Sequence, residues 1–147
     1  MTTRVRAIAG AIALTAIIGF AGPASAQSAF DVDSCDGNGG ASRDQVINGC
    51  TALIQSDKTS KKMLINALFK RGMAYRNSDF DRAIEDFSQL IKLVTDDSSY
   101  FYYRGVVYFD KGEYDRAIQD FDQALKLDPT DTTVINARAQ AIAKKNK

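Results

Sequence analysis

Cys35 and Cys50 are the only thiols in the 147-residue chain, and there is no histidine at all. The missing imidazole removes the commonest general base and the commonest nitrogen ligand for a metal. Two sulfurs without a His are too few for a tetrahedral metal site, and a redox-active pair would sit closer in sequence. A structural disulfide, Cys35–Cys50, remains; two cysteines allow one pairing, and it requires an oxidising compartment. Beside Cys35, Asp36-Gly37-Asn38-Gly39-Gly40 alternates carboxylate, amide and glycine. This segment lacks the Lys and the strand–helix setting of a phosphate loop. It also lacks the further carboxylates and terminal Glu of a calcium loop. It reads as a turn. No catalytic residue, metal set or cofactor loop is expected, and a non-enzymatic role follows.

The elements that would position any binding surface are clearest between Ser98 and Asp131. Phe101, Gly105 and Tyr108 recur at helical spacing, and so do Ala117, Phe121 and Ala124, with Leu125 and Leu127 beside them. Asp110-Lys111-Gly112 interrupts the pattern, and Pro129 bars continuation of the second helix. Two amphipathic helices joined by so short a turn pack antiparallel. The small residues Gly105 and Ala117 mark the closest approach, and Phe101, Tyr108 and Phe121 fill the remaining gap.

The unit recurs one period earlier. Arg71-Gly72-Met73-Ala74-Tyr75 aligns with Arg104-Gly105-Val106-Val107-Tyr108, and Asp81 to Phe87 aligns with Asp115 to Phe121. The earlier copy is one residue shorter, in its turn, where loops tolerate deletion. Gly105, Tyr108, Ala117, Phe121, Ala124 and Pro129 stand in the register of the tetratricopeptide repeat, which this unit resembles. Phe101 replaces the usual Trp of that pattern and Arg104 the usual Leu. The resemblance implies an all-α fold: a short α-solenoid of antiparallel helix pairs in a right-handed superhelix. It covers residues 42–147, as a degenerate half repeat (42–57), two repeats (65–97 and 98–131) and a capping helix (132–147).

In the half repeat, Ser42 and Gln45 fit a capping box. Val46, Ile47, Cys50, Leu53 and Ile54 form a stripe that aligns with Ala83, Ile84, Phe87, Leu90 and Ile91. In the capping helix, Ile135, Ala139 and Ile142 follow the first-helix spacing, and a basic end complements the helix dipole. Six helices are expected in all.

Ahead of them, Arg4 and Arg6, an apolar run from Ala7 to Ala21, and Ala24-Ser25-Ala26 have the three parts of a cleaved signal peptide, residues 1–26. The apolar run is too short for a membrane span. A mature chain starting at Gln27 would carry 17 basic and 18 acidic side chains, with neither a nucleic-acid nor a membrane-surface footprint. Export predicts the periplasm of a Gram-negative bacterium, or secretion, and so the disulfide. Residues 27–41 read as an irregular arm that Cys35 ties to the next helix.

Arg82/Asp86 and Arg116/Asp120 lie four apart, the spacing of solvated helix-surface pairs. Arg71, Arg104 and Arg138 share one position in three first-type helices, where most relatives are apolar. A partly buried Arg needs a carboxylate, and two pairings are open. Arg104–Asp86 with Arg138–Asp120 would link successive repeats; Arg71–Asp86 with Arg104–Asp120 would lie within repeats. The first is favoured here, because the Asp shares a stripe with Ala124.

Phe101, Tyr108, Phe121, Tyr75 and Phe87 match core positions. Phe69, Met73, Tyr102, Val106 and Phe109 fall instead on the face that the resemblance makes concave. Asn66, Arg76, Asn77 and Asn136 are expected to edge it. The peptide-binding set is therefore Phe69, Met73, Arg76, Tyr102, Val106 and Phe109, suited to apolar contact with an extended protein segment. The alternative is a self-associating structural unit, a homo-oligomer that stacks end to end or buries this groove. No nucleic acid is expected as partner.

Overall fold

The computed structural model describes residues 31–147; the signal-peptide reading of residues 1–26 lies outside them. Among the described residues there is no strand, and no helix is long and apolar enough to cross a membrane. Residues 31–36 are helical (α1), and a 3-10 turn, Asn38–Gly40, follows. Then come α2 (Arg43–Gln55), α3 (Lys61–Tyr75), α4 (Phe80–Leu93), α5 (Ser98–Lys111), α6 (Tyr114–Leu127) and α7 (Thr132–Lys145). From α2 onward each helix packs on its neighbour in sequence, and α5 also touches α7. This is the α-solenoid of antiparallel pairs.

Local chemistry sets the boundaries. The Ser42 hydroxyl accepts from the Gln45 amide, and the Gln45 side chain accepts from the Ser42 amide. That reciprocal pair closes the first turn of α2. Ser60, Asp79, Asp97 and Asp131 cap the starts of α3, α4, α5 and α7 through their side chains. Gly112 ends α5 at φ 85°, a left-handed conformation that a side chain resists.

Phe87, Phe121, Ala83, Ala117, Ala124 and Tyr75 are buried, and Phe101 and Tyr108 pack half-buried against them. The glycines of the first helices make room for the Phe and Asp side chains of the second. A Cβ on Gly72 would sit 3.2 Å from the Phe87 ring, and one on Gly105 only 2.8 Å from Phe121.

The arm departs from the expected irregular chain. Cys35 lies in α1 and bonds to Cys50 of α2, with Cα atoms 4.5 Å apart. Val32, Cys35, Cys50, Leu53 and Ala67 share one apolar cluster. α1 therefore stands where a first helix of the degenerate repeat would stand, and α2 is not a lone half repeat. The close contact is inverted: Gly49, on the second helix, faces α1. A Cβ there would lie 2.8 Å from Asp31 O and Cys35 N. The sequence hid this helix because the contact is carried by a disulfide and a misplaced glycine, not by the usual residues.

The charged pairs also differ from expectation. Asp86 and Asp120 are buried, not solvated partners of Arg82 and Arg116. Those arginines pair instead with Asp79 and Glu113, three residues away. Arg71 donates Nε and Nη2 to the two oxygens of Asp86 at 2.9 and 2.7 Å. Arg104 does the same to Asp120, at 2.8 Å for both bonds. The pairing is within repeats, and the favoured cross-repeat pairing is wrong. What each Arg sends across the repeat boundary is Nη1, to a hydroxyl: Thr51 for Arg71 at 3.0 Å, Ser88 for Arg104 at 2.9 Å. The stripe argument failed because the guanidinium has enough donors to reach both neighbours.

In α7 the expected stripe is displaced. Val134 and Ala141 are buried and Ala137 is half-buried, whereas Ile135 and Ala139 are exposed. The Ile135 stripe would meet the second helix of its own repeat, and no such helix follows among the described residues.

Candidate functional site

The first helices α3, α5 and α7 line one side of the array, and two cavities open there. The first, of about 400 Å³, is lined by Tyr102, Val106 and Phe109 of α5, Arg76 at the end of α3, and Asn136 and Gln140 of α7, with Phe121 also contributing. The second, of about 710 Å³, lies between α3 and α5. Phe69, Tyr100, Tyr103, Met63, Ile65 and Asn66 line it.

The expected set is thus divided. Arg76, Tyr102, Val106 and Phe109 come together in the first cavity, with Asn136 among its lining. Phe69 belongs to the second cavity, and Met73 lines neither. Sequence reasoning missed Tyr100 and Tyr103. Both lie off the helix stripe assigned to the concave face, yet they line the cavity between the N-terminal halves of α3 and α5. Four consecutive aromatics, Tyr100 to Tyr103, were the available signal.

These aromatics are half-buried and braced, not free-standing. Phe69 meets Tyr103 edge-on at 5.0 Å between centroids, and Phe87 at 6.2 Å. Tyr102 lies 6.0 Å from Phe121. Each ring has one face in the core and contributes the other to a cavity wall. Burial, with the Asp97 charge nearby, raises the Tyr100 hydroxyl above its ordinary range, so it stays a neutral donor at physiological pH.

Two of the expected polar edges are already engaged. Arg76 Nε donates to Asp110 Oδ2 at 2.7 Å. Asn66 Nδ2 donates to Asp36 Oδ1 at 3.0 Å, and Lys70 Nζ donates to the Asp36 carbonyl at 3.1 Å. Asp36, just past Cys35, thereby ties the arm to α3. Asn136, exposed on α7, has no such bond among the described residues. Among the described residues no cluster of three or more His, Cys, Asp or Glu is placed to hold a metal ion.

The helix pairs, their glycine contacts and their concave face agree with one family, and the model of the tetratricopeptide repeat matches residues 74–132. Within those residues the chain carries tetratricopeptide-repeat sequence. The match spans the second half of one repeat described above, all of the next, and the start of α7.

Solved structures, two of them tetratricopeptide-repeat domains, have the same fold. The second such domain of human RPAP3, in complex with the HSP70 peptide SGPTIEEVD, superposes with a TM-score of 0.64 at 24% identity. The alignment covers 80% of this chain and 96% of that one. The first such domain of Spaghetti (RPAP3), bound to the HSP90 peptide SRMEEVD, gives 0.61 at 20% identity, over 71% of this chain and 81% of that one. A crystal structure of MamA gives 0.62 at 23% identity, over 71% of this chain and 59% of that one. Comparison by sequence with curated proteins gives no match.

Proposed function

We propose that this protein is an exported, non-enzymatic tetratricopeptide-repeat scaffold whose concave face binds an extended segment of another protein, mainly through apolar contacts. The observation that carries the reading is the pair of aromatic-walled cavities along α3, α5 and α7. Two of the similar structures hold peptides ending in EEVD. Here the Arg of the first cavity is already neutralised by Asp110, so an acidic terminus finds little free positive charge there. Tyr102, Val106 and Phe109, and beside them Phe69, Tyr100 and Tyr103, can bury apolar side chains at about 25 cal/mol per Å². Asn136 and Gln140 can meet the backbone between them.

Export rests on the basic, apolar and small-residue parts of residues 1–26. The Cys35–Cys50 disulfide suits an oxidising compartment, the periplasm first and the extracellular medium second.

The test is photo-crosslinking in cells. A photoreactive residue in place of exposed Asn136 should capture a protein partner, and one in place of Lys92, exposed on α4, should not. Adducts that are identical from both positions, or absent from Asn136, would refute the groove.

A further inference from the structure

Asn66, Lys70 and Arg76 fall on the stripe of α3 that also carries Phe69. Asn66 lines the second cavity and Arg76 the first. Each of these three donors is held by an aspartate brought in from another element. Asp36, the last residue of α1, accepts from Asn66 on Oδ1 at 3.0 Å. The same oxygen lies 3.5 Å from Lys70 Nζ, which also donates to the Asp36 carbonyl at 3.1 Å. Asp110, near the end of α5, accepts from Arg76 Nε at 2.7 Å. The disulfide of the adjacent Cys35 to Cys50 keeps Asp36 in reach of α3.

The cations of the concave face are therefore spent inside the chain. Apart from the Arg76–Asp110 pair, the only charged side chain in either lining among the described residues is Lys62, which is exposed. The paired side chains are each about one-third exposed, so a ligand can reach them. An incoming carboxylate would have to displace Asp36 or Asp110 and then sit beside its like charge, which suppresses acidic partners. A segment without acidic groups meets no such opposition.

We propose that Asp36 and Asp110 are specificity-determining residues of the concave face. They restrict its partner to a neutral or basic segment whose apolar side chains seat against Phe69 and Tyr102. This rests on the groove reading above and adds the charge of the partner to it. A purely structural role, tying α1 to α3 and α3 to α5, would survive replacement by asparagine, which still offers an oxygen to Asn66 or Arg76. What asparagine removes is the charge.

The test measures peptide binding by fluorescence anisotropy at low ionic strength. The acidic probe is SRMEEVD, the peptide held by one of the similar structures. The neutral probe is SRMQQVN with an amidated C-terminus, which keeps the apolar side chains. The double variant Asp36→Asn/Asp110→Asn should bind the acidic probe at least about fivefold tighter than the wild type. Asp110→Asn alone, which leaves α1 untouched, should show part of the gain. High salt should abolish it, as should adding Lys70→Gln and Arg76→Gln to the double variant. The neutral probe should bind wild type and double variant alike. Equal affinity of the acidic probe for wild type and double variant would overturn the proposal, as would a gain that survives loss of Lys70 and Arg76. A neutral probe that binds neither protein would refute the groove itself, and the proposal with it.

Discussion

Arg71 and Asp86 fasten the two helices of one repeat through two parallel hydrogen bonds, at 2.9 and 2.7 Å, with the carboxylate buried. The hydrogen bond to Asp86 raises Arg71 further above its ordinary value, so it is always charged. Burial pushes Asp86 above the usual carboxylate range, against the pull of Arg71. The shifts of the two partners therefore disagree about the benefit of the contact. Desolvation of the carboxylate offsets much of the attraction, which is normal for buried pairs. The bidentate tie specifies how the helices meet more than it stabilises them.

That balance predicts an asymmetry. Asp86→Ala should lower unfolding free energy by about 3–5 kcal/mol, because Arg71 keeps its charge without a counter-charge. Asp86→Leu combined with Arg71→Met should recover most of the loss. Urea denaturation of the three proteins checks both; a double variant as unstable as the single one would show that the pair is net stabilising.

The disulfide closes a short loop between α1 and α2. Protein purified from the cell envelope should show no free thiol. Replacing both cysteines with Ser should cost about 3 kcal/mol in the chain-entropy picture, with α3 to α7 still folded. Hydrogen exchange should show the lost protection confined to α1, α2 and the facing side of α3.

Gly72 and Gly105 occupy the same repeat position but differ in room. Alanine improves helix propensity by about 1 kcal/mol over glycine. At Gly72 the new methyl needs only a small shift of Phe87, so Gly72→Ala should be near neutral. At Gly105 it would sit 2.8 and 2.9 Å from two Phe121 ring atoms. Overpacking of about 1–3 kcal/mol should then exceed the propensity gain. Paired thermal melts decide this; Gly105→Ala melting as high as wild type would contradict the packing.

Acid should weaken the α5–α6 and α6–α7 connections. Asp128 is held below the usual carboxylate range by the Thr130 hydroxyl and amide, and Glu113 by Lys111. Their contribution is present above about pH 4, where unfolded carboxylates titrate, and fades as pH falls through their lower folded values. Asp86 works the opposite way: its contribution is present at low pH and is lost as pH rises through its raised folded value. Asp128→Asn keeps an acceptor for Thr130 but removes the titration. Its melting temperature should therefore fall less steeply than that of wild type between about pH 4 and 2.

The sequence by itself determined the helices and the repeat. Gly, Ala and aromatic residues at fixed intervals state which face of a helix is buried, and capping residues and Gly112 state where it stops. All of this is local, so periodicity alone reveals it. The Cys35–Cys50 pairing was equally legible, because two cysteines leave no choice. Which neighbour a face meets is not local. The direction of the Arg71 and Arg104 ties depended on how far a guanidinium reaches between stacked helices. α1 was concealed because a disulfide and Gly49 do the work of the family's usual contact residues. Phe69 and Tyr102 share a stripe in sequence, yet they line separate cavities, and Tyr100 and Tyr103 join Phe69, because a cavity wall is made by whichever side chains two packed helices bring together. Ile135 has the spacing of a core residue and is exposed, because burial needs a second surface and the helix that would supply it does not follow α7 in the described chain.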